Sequence, residues 1–556
     1  MTGALERSYW AADTGAGISE LTAGGLLRGV ASEVPDRLAL VEVAPPGSPL
    51  VLGAASTERT WTYAQLLAEA ELTAQWLLGR FEPGEHIAVW APNLPEWVFL
   101  QYGAALAGLV LVTANPALRA SELEYLLRQS KAAGVAFVDS FRGVDMGAVV
   151  EEVRTRLPLV RHLVRFTAWE SEVRASPASP RPFPEVSPTE PAQLQYTSGT
   201  TGFPKGAMLS HRALITNARF VHKRAQFPDG GIWATALPLF HTAGCGMSVL
   251  GTAASRGTLV LAQLFEPSLV LAALEKWGAD LFAAVPAMHY ALLASGNFDS
   301  YDLSSVKVAA SGGDAVPPAL VAEAERRYGA RFSTVYGQTE LSPIIAQTSP
   351  NDSATDKAET VGLPLWQVEV KIADPRSGAV LDAGREGEIC ARGYQLMLGY
   401  FDMPEATAAA IDAEGWLHTG DLGSMDTRGY LKITGRLKDM IIRGGENIYP
   451  REIEAALAAH PGVGASAVLG IPDPAMGERV AAVIRPSDPG NPPASDELTE
   501  FLGGTLAHFK IPRSWYLANS LPANAMGKVQ KFLIKEQIVA GGLPELPNRG
   551  TAPDPT

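Results

Sequence analysis

Between a strand-like apolar stretch at 192–196 and a helix-like one at 211–218, the chain places Thr197-Ser-Gly-Thr-Thr-Gly-Phe-Pro-Lys-Gly206. A strand, a tight loop and a helix in that order demand a βα unit whose loop can bend sharply and come close to an anion. Glycine at 199 and 202 permits φ > 0 and would let the backbone approach phosphate oxygens. Thr197, Ser198, Thr200 and Thr201 offer hydroxyls and N–H groups to those oxygens, and Lys205 adds a point charge. A Walker A loop is excluded, because Gly206 stands where a Ser or Thr must follow the lysine. The same composition also suits a plain flexible loop. Its setting between strand and helix favours the polyphosphate reading.

At 556 residues the chain exceeds what one core holds, so two or more domains are expected. From 62 to 139, helix-like segments (64–78, 97–107, 121–129) alternate with short apolar ones (87–90, 109–113, 135–138). That alternation implies βαβ units and a largely parallel, helix-covered sheet. A second alternating region spans 232–335, and shorter strands at 368–372, 387–391 and 430–433 suggest a β-rich lobe. The expected joint is Gly435-Arg-Leu-Lys-Asp439. A short helix follows it, with Pro450 near its start and Glu452 and Glu454 in its first turn. The expected fold is therefore α/β: a large N-terminal domain (1–435), a hinge (436–439), a small mobile α+β C-terminal domain (440–541), and a Pro-rich tail (542–556) expected to be disordered.

The composition is globular, 47% hydrophobic and 19% charged, and a net charge of −14 argues against a nucleic-acid surface. Cys245 and Cys390 are too few for a disulfide framework or a four-thiolate zinc site, and are expected to be small buried residues. No stretch reaches the roughly 20 apolar residues of a membrane span. The first ten residues lack a signal-peptide pattern, so a cytoplasmic location is expected. Oligomeric state is open.

Further segments matter jointly. Ser311-Gly-Gly-Asp314 follows a strand-like run at 306–310, and Tyr336-Gly-Gln-Thr-Glu340 another at 332–335. Thr419-Gly-Asp421 and an isolated Gly527-Lys528 come later. Together with the Lys205 loop, and in this order across residues 20–540, they resemble the core motifs of the adenylate-forming (ANL) superfamily. The nearest likeness is to its acyl-/aryl-CoA synthetase branch, with fatty-acyl-CoA ligases nearest around 336–343 and 442–454.

The resemblance implies ATP, Mg2+ and coenzyme A. A carboxylate attacks the α-phosphate to give acyl-AMP and pyrophosphate, and a thiol then displaces AMP. Such transfers rest on positioning and charge stabilisation. By that likeness Glu340 holds magnesium, Thr339 bonds the α-phosphate and Tyr336 packs on adenine, with Gly312, Gly313, Asp314 and Gly337 beside the nucleotide. Asp421 accepts the ribose hydroxyls and Arg436 supports them. Lys528, 90 residues after Lys438, bridges carboxylate and α-phosphate as a point charge on a long stem. Ala523 and Asn524 depart from the common pattern there, which is expected to modulate rate. Lys438 matches the hinge, and Gly444 and Gly445 the face turned to the pantetheine channel.

Leu237-Pro-Leu-Phe-His241 resembles the segment beside the acyl site. His241 either gates that pocket or touches the carboxylate, or is a buried structural histidine. The implied walls are Thr242, Ala243, Gly244, Val285, Gly312, Gly337, Leu341, Pro343 and Ile344, all small or apolar. An ammonium-bearing acid would need a buried carboxylate, so a medium- or long-chain fatty or an aryl acid is expected. The alternatives are a biosynthetic ligase using a carrier-protein thiol, an amine or another nitrogen acceptor, and a non-catalytic acyl- or nucleotide-binding relative. Only 28 residues follow Lys528, so any carrier is expected to be a standalone partner.

Overall fold

Strands Val110–Ala114 and Thr258–Ala262 are buried at every position, as strands are when helices cover both faces of a sheet. Each sits inside a separate, mainly parallel sheet of the computed structural model, which describes residues 4–44, 58–174, 181–197, 204–443, 446–474, 476–523 and 529–548. The seven-stranded sheet runs Gly399–Tyr400, Lys205–Ser210, Pro191–Thr197, Val110–Ala114, His86–Trp90, Gly134–Phe137, His162–Arg165. Its last five strands are parallel, and the first two are added antiparallel at one edge. The nine-stranded sheet runs Leu363–Pro364, Ile344–Gln347, Arg331–Gly337, Val308–Ser311, Leu281–Ala284, Ile232–Thr235, Thr258–Ala262, Leu38–Val43, Glu58–Thr62, with a parallel centre and antiparallel edges.

Helix Pro95–Ala107 is buried at all 13 positions, so it carries no solvent face. It starts on Pro95 and ends at Gly108 with φ +70, the proline-in, glycine-out asymmetry of helix ends. A Cβ on Gly103 would lie 2.6 Å from Thr73 Cγ2, so glycine lets this helix close on its neighbour Tyr63–Leu78.

The β-rich lobe is a five-stranded antiparallel sheet, Tyr9–Trp10, Val368–Ala373, Gly387–Gly393, Leu417–Met425, Leu431–Arg436. Beyond it, Gly477–Pro486 pairs antiparallel with Ile441–Arg443 and Val463–Asp473 and parallel with Ser514–Leu517. Helices Pro450–Leu457, Ser495–Gly503 and Lys531–Val539 accompany this sheet. Its apolar clusters, around Ile453, Val480 and Leu498 on one side and Ala467, Val483 and Ile534 on the other, draw only on residues from Ile441 onward. The fold is thus the expected α/β arrangement of a large N-terminal part and a smaller C-terminal one.

One expectation is corrected. Of the tail 542–556 read as disordered, residues 549–556 lie outside the described residues, whereas 542–548 are packed: Leu546 is buried, its N–H donates to Trp515 C=O at 3.0 Å, and Ser495 N–H donates to Pro547 C=O at 2.9 Å. A buried leucine and four backbone bonds anchor the segment, the other two from Leu517 N–H to Pro544 C=O and from Gly542 N–H to Gln537 C=O. Both cysteines are free and buried. Among the described residues, no helix is long and apolar enough to cross a membrane.

Candidate active site

The loop residues Ser198, Gly199, Thr200, Thr201 and Gly202 lie outside the described residues, as do Gly444, Gly445, Asn524 and Lys528. The two ends of the loop are described. Thr197 and Lys205 face each other as the last antiparallel pair of neighbouring strands, so the loop joins two strands at one end of the sheet, and the expected helix, His211–Arg224, comes only after the second strand. Lys205 Nζ lies 5.0 Å from the centroid of the Tyr400 ring, a cation–π contact. The Tyr400 hydroxyl donates to Glu340 Oε1 at 2.7 Å. Burial, and then the Glu340 carboxylate, raise the Tyr400 phenol so that it stays a donor. One tyrosine thus ties the loop's cation to the carboxylate expected to hold magnesium.

Glu340 stands in the short 3-10 turn Thr339–Leu341, straight after strand Arg331–Gly337. The turn can form because position 337 is glycine: a Cβ there would lie 1.9 Å from Pro343 O. The same close approach lets Gln338 N–H donate to Pro343 C=O at 2.8 Å. Thr339, Glu340 and Leu341 are then held at the end of that strand, with Met397 N–H donating to Glu340 C=O at 2.9 Å.

A second group gathers across the β-rich lobe. The Tyr336 hydroxyl donates to Asp421 Oδ2 at 3.0 Å, and Arg436 Nε lies 3.2 Å from Asp421 Oδ1. Burial first, and then Asp421, push the Tyr336 phenol up. Asp421 and Arg436 are register partners on adjacent strands, which explains their meeting. Asp314 follows strand Val308–Ser311 through Gly312 and Gly313. A Cβ on Gly312 would meet Val335 O at 2.4 Å, so contact within the protein accounts for that glycine. Gly313 has φ +79, and a Cβ there would lie 3.6 Å from Val285 Cγ1, which brings Val285 to this turn. Lys438 lies in the 3-10 turn Leu437–Asp439, its ammonium pulled below the usual lysine range by burial.

His241 precedes the π-helix Ala243–Leu250. Its Nδ1 accepts from Ala243 N–H at 3.2 Å, and burial lowers its pKa to about 4, so the ring is a neutral imidazole. Thr242 is fully buried, and its Oγ1 has no hydrogen-bond partner among the described residues. Gly244 packs under Pro238, whose O would lie 2.2 Å from a Cβ. Leu341, Pro343 and Ile344 are buried.

Three contributors escaped the sequence reading. Tyr400 lies 60 positions from Glu340, and only the two-residue strand that pairs with Ala207 and Met208 brings it in. Asn217, on helix His211–Arg224, grips Ile344 like a peptide: Nδ2 donates to its C=O at 2.7 Å and Oδ1 accepts its N–H at 3.1 Å. Arg451, on helix Pro450–Leu457, is drawn below its ordinary value by burial, against the opposing fields of Asp314, Glu454 and Asp421. Only its place in the charged first turn of that helix offered any signal.

The chain matches the family model of the AMP-binding enzyme over residues 27–401, and that of the AMP-binding enzyme C-terminal domain over residues 452–528. It is 37% identical to YngI of Bacillus subtilis (strain 168), itself an inferred acyl-CoA synthetase, across 93% of this chain and 97% of that protein. To the mitochondrial medium-chain acyl-CoA ligase ACSF2 of Homo sapiens it is 32% identical, across 94% and 88%. In fold it is similar to o-succinylbenzoate CoA synthetase (MenE) from Bacillus subtilis in complex with its acyl-adenylate intermediate, with a TM-score of 0.80, 29% identity, and coverage of 93% and 98%.

Proposed function

The chain belongs to the AMP-binding enzyme family and is an AMP-forming acid–CoA ligase that uses ATP, Mg2+ and CoA, and from that premise we propose that its acid is hydrophobic: a medium- or long-chain fatty acid or an aryl acid. What supports this is the residue set that the family likeness assigns to the acid's walls, Thr242, Ala243, Gly244, Val285, Leu341, Pro343 and Ile344, in which no side chain is charged. Leu341, Pro343 and Ile344 are buried beside the Thr339–Leu341 turn. An acid carrying a second charge would strand it there unpaired. The medium-chain ligase among the relatives points the same way.

In this reading the acid's carboxylate oxygen attacks the ATP α-phosphorus, the bond to the pyrophosphate oxygen breaks, and acyl-AMP forms. The loop from Thr197 through Ser198, Gly199, Thr200, Thr201 and Gly202 to Lys205 holds the departing phosphates. Thr339 donates to the α-phosphate, and Lys528 bridges it to the carboxylate. Tyr336 packs on adenine, with Gly312, Gly313, Asp314 and Gly337 alongside the nucleotide. Asp421, steadied by Arg436 and Tyr336, takes the ribose hydroxyls. Glu340 fits a magnesium ligand: a hard carboxylate with one oxygen oriented by the Tyr400 hydroxyl, near the Lys205 cation. Bound Mg2+ supplies charge neutralisation on the polyphosphate. Neutral His241 lines the entrance to the acyl side without adding charge.

The C-terminal unit, from 440 on, then turns about Arg436–Asp439 with Lys438 at the pivot. It withdraws Lys528 and presents Gly444 and Gly445 to the pantetheine arm. The apolar clusters on either side of that joint share no residue, which supports the division. The CoA thiol attacks the acyl carbonyl carbon, AMP leaves, and the thiol proton is released.

The test is pyrophosphate and AMP release with a panel of fatty, aryl, dicarboxylic and amino acids, with and without CoA, with products read by mass spectrometry. Thioester from fatty or aryl acids, with adenylation lowered by ~100-fold or more in Lys528→Ala, is expected. Turnover confined to charged-tail acids sinks the proposal. Adenylate that never becomes a CoA thioester would instead identify a carrier thiol or a nitrogen acceptor.

A further inference from the structure

Asp421 sits on a bent piece of strand. Gly420 before it has φ +68, and the pairing of Leu417–Met425 with Gly387–Gly393 slips register between Glu388 and Cys390. A ladder interrupted there leaves backbone groups that something else must satisfy. Glu388 reaches across the slip with both oxygens engaged: Oε1 accepts the Gly420 N–H at 3.1 Å, and Oε2 faces His418 Nδ1 at 2.8 Å. The other ring nitrogen, Nε2, lies 3.5 Å from Asp412 Oδ2. Asp412 is in turn fixed by the N–H groups of Glu414 and Trp416, both at 2.9 Å on Oδ1. Thr419 completes the brace, its hydroxyl donating to Ile389 C=O at 2.6 Å and accepting Asp421 N–H at 3.0 Å.

The peptide planes on both sides of Gly420 are thus held, one by Glu388 and the other by Thr419. Together they aim the Cα–Cβ bond of Asp421. The Glu388 side chain is only 8% exposed, and a buried carboxylate is costly unless its oxygens are used. Both are used here, on the strand segment that leads into Asp421.

We propose that Glu388 is a positioning residue for the ribose of ATP, acting through Gly420 N–H and His418 on the Asp421 carboxylate. This rests on the reading of Asp421 as the ribose acceptor. Glu388, Cys390 and His418 also form a triangle with metal-ligand chemistry. The 2.8 Å contact of a ring nitrogen with a carboxylate is a hydrogen bond that already occupies it. Burial pushes the Cys390 thiol up to about 12, away from the thiolate a metal needs. The triangle is a brace.

The experiment measures binding of ATP and of 2′,3′-dideoxy-ATP to the full chain, without acid, by calorimetry. Wild type should prefer ATP, and Asp421→Ala should lose that preference. Glu388→Ala should weaken ATP about tenfold while dideoxy-ATP moves less than about threefold. Glu388→Gln, which keeps an acceptor oxygen for Gly420 N–H, should stay within about threefold for both. Equal weakening of both nucleotides by Glu388→Ala, or an unchanged ATP preference, overturns the proposal. If Glu388→Ala does not fold, His418→Ala decides in the same way: a reduced ATP preference supports the brace and an unchanged one removes it. No preference in wild type removes the ribose role of Asp421, and the brace with it.

Discussion

Tyr400→Phe removes one oxygen and leaves the ring, so it isolates the hydroxyl that donates to Glu340 Oε1 at 2.7 Å. The ring under Lys205 Nζ, 5.0 Å from its centroid, stays in place, so the loop's cation keeps its contact. A hydrogen bond to a charged group contributes about 1.5–3 kcal/mol. Glu340 is half-buried, so water can replace part of the lost donor, and the low end applies. About 1.4 kcal/mol corresponds to tenfold in rate. The expected result is a roughly tenfold lower kcat/KM for acid-dependent pyrophosphate release. The Mg2+ concentration for half-maximal rate should rise, while ATP affinity in EDTA stays within about twofold. An activity within twofold of wild type, or an equal loss of ATP binding without metal, would refute the link between Tyr400, Glu340 and magnesium.

Two further outcomes follow from burial and close approach. His211, His222 and His289 are buried, and desolvation takes their pKa values to about 4, 3 and 4. A depressed histidine pKa means that the unfolded chain binds a proton below about pH 6.5 that the fold refuses, so stability present above that pH is lost as it falls toward 4. At pH 5 each histidine costs about 2 kcal/mol relative to pH 7, so Tm should fall clearly between those values, and a flat Tm contradicts the neutral-histidine reading. Gly337→Ala would set a Cβ 1.9 Å from Pro343 O and 2.8 Å from Ile344 Cα. Backbone must move, at a cost of about 3 kcal/mol in denaturant unfolding together with loss of adenylation; a change under about 0.5 kcal/mol would show that the turn adapts freely.

Much of the layer structure was legible because its cause is local. The segment 109–113 reads as an apolar run because both faces of strand Val110–Ala114 are covered. The helix read at 97–107 is present, beginning two residues earlier on Pro95 and stopping at Gly108. The misreading of 542–548 came from weighing prolines above Leu546, whose burial depends on Trp515 and Ser495 far away in the chain. The π-helix at Ala243–Leu250 left no periodic signal.

The sequence by itself determined which residue types were available, and in what order: a hydroxyl- and glycine-rich loop with one lysine, a carboxylate after Tyr-Gly-Gln-Thr, and an aspartate after Thr-Gly. Motif order carries that because each motif's chemistry is contained in a few consecutive residues. Only the tertiary structure decided which of them touch. Tyr400 meets Glu340 through a two-residue edge strand, Tyr336 and Arg436 converge on Asp421 from two sheets, Asn217 clamps Ile344, and Glu388 crosses a register slip to Gly420. These contacts join residues 15 to 127 positions apart, and no local periodicity or propensity encodes them. They arise when sheets and helices bury their apolar faces together and the polar groups left between them must find partners.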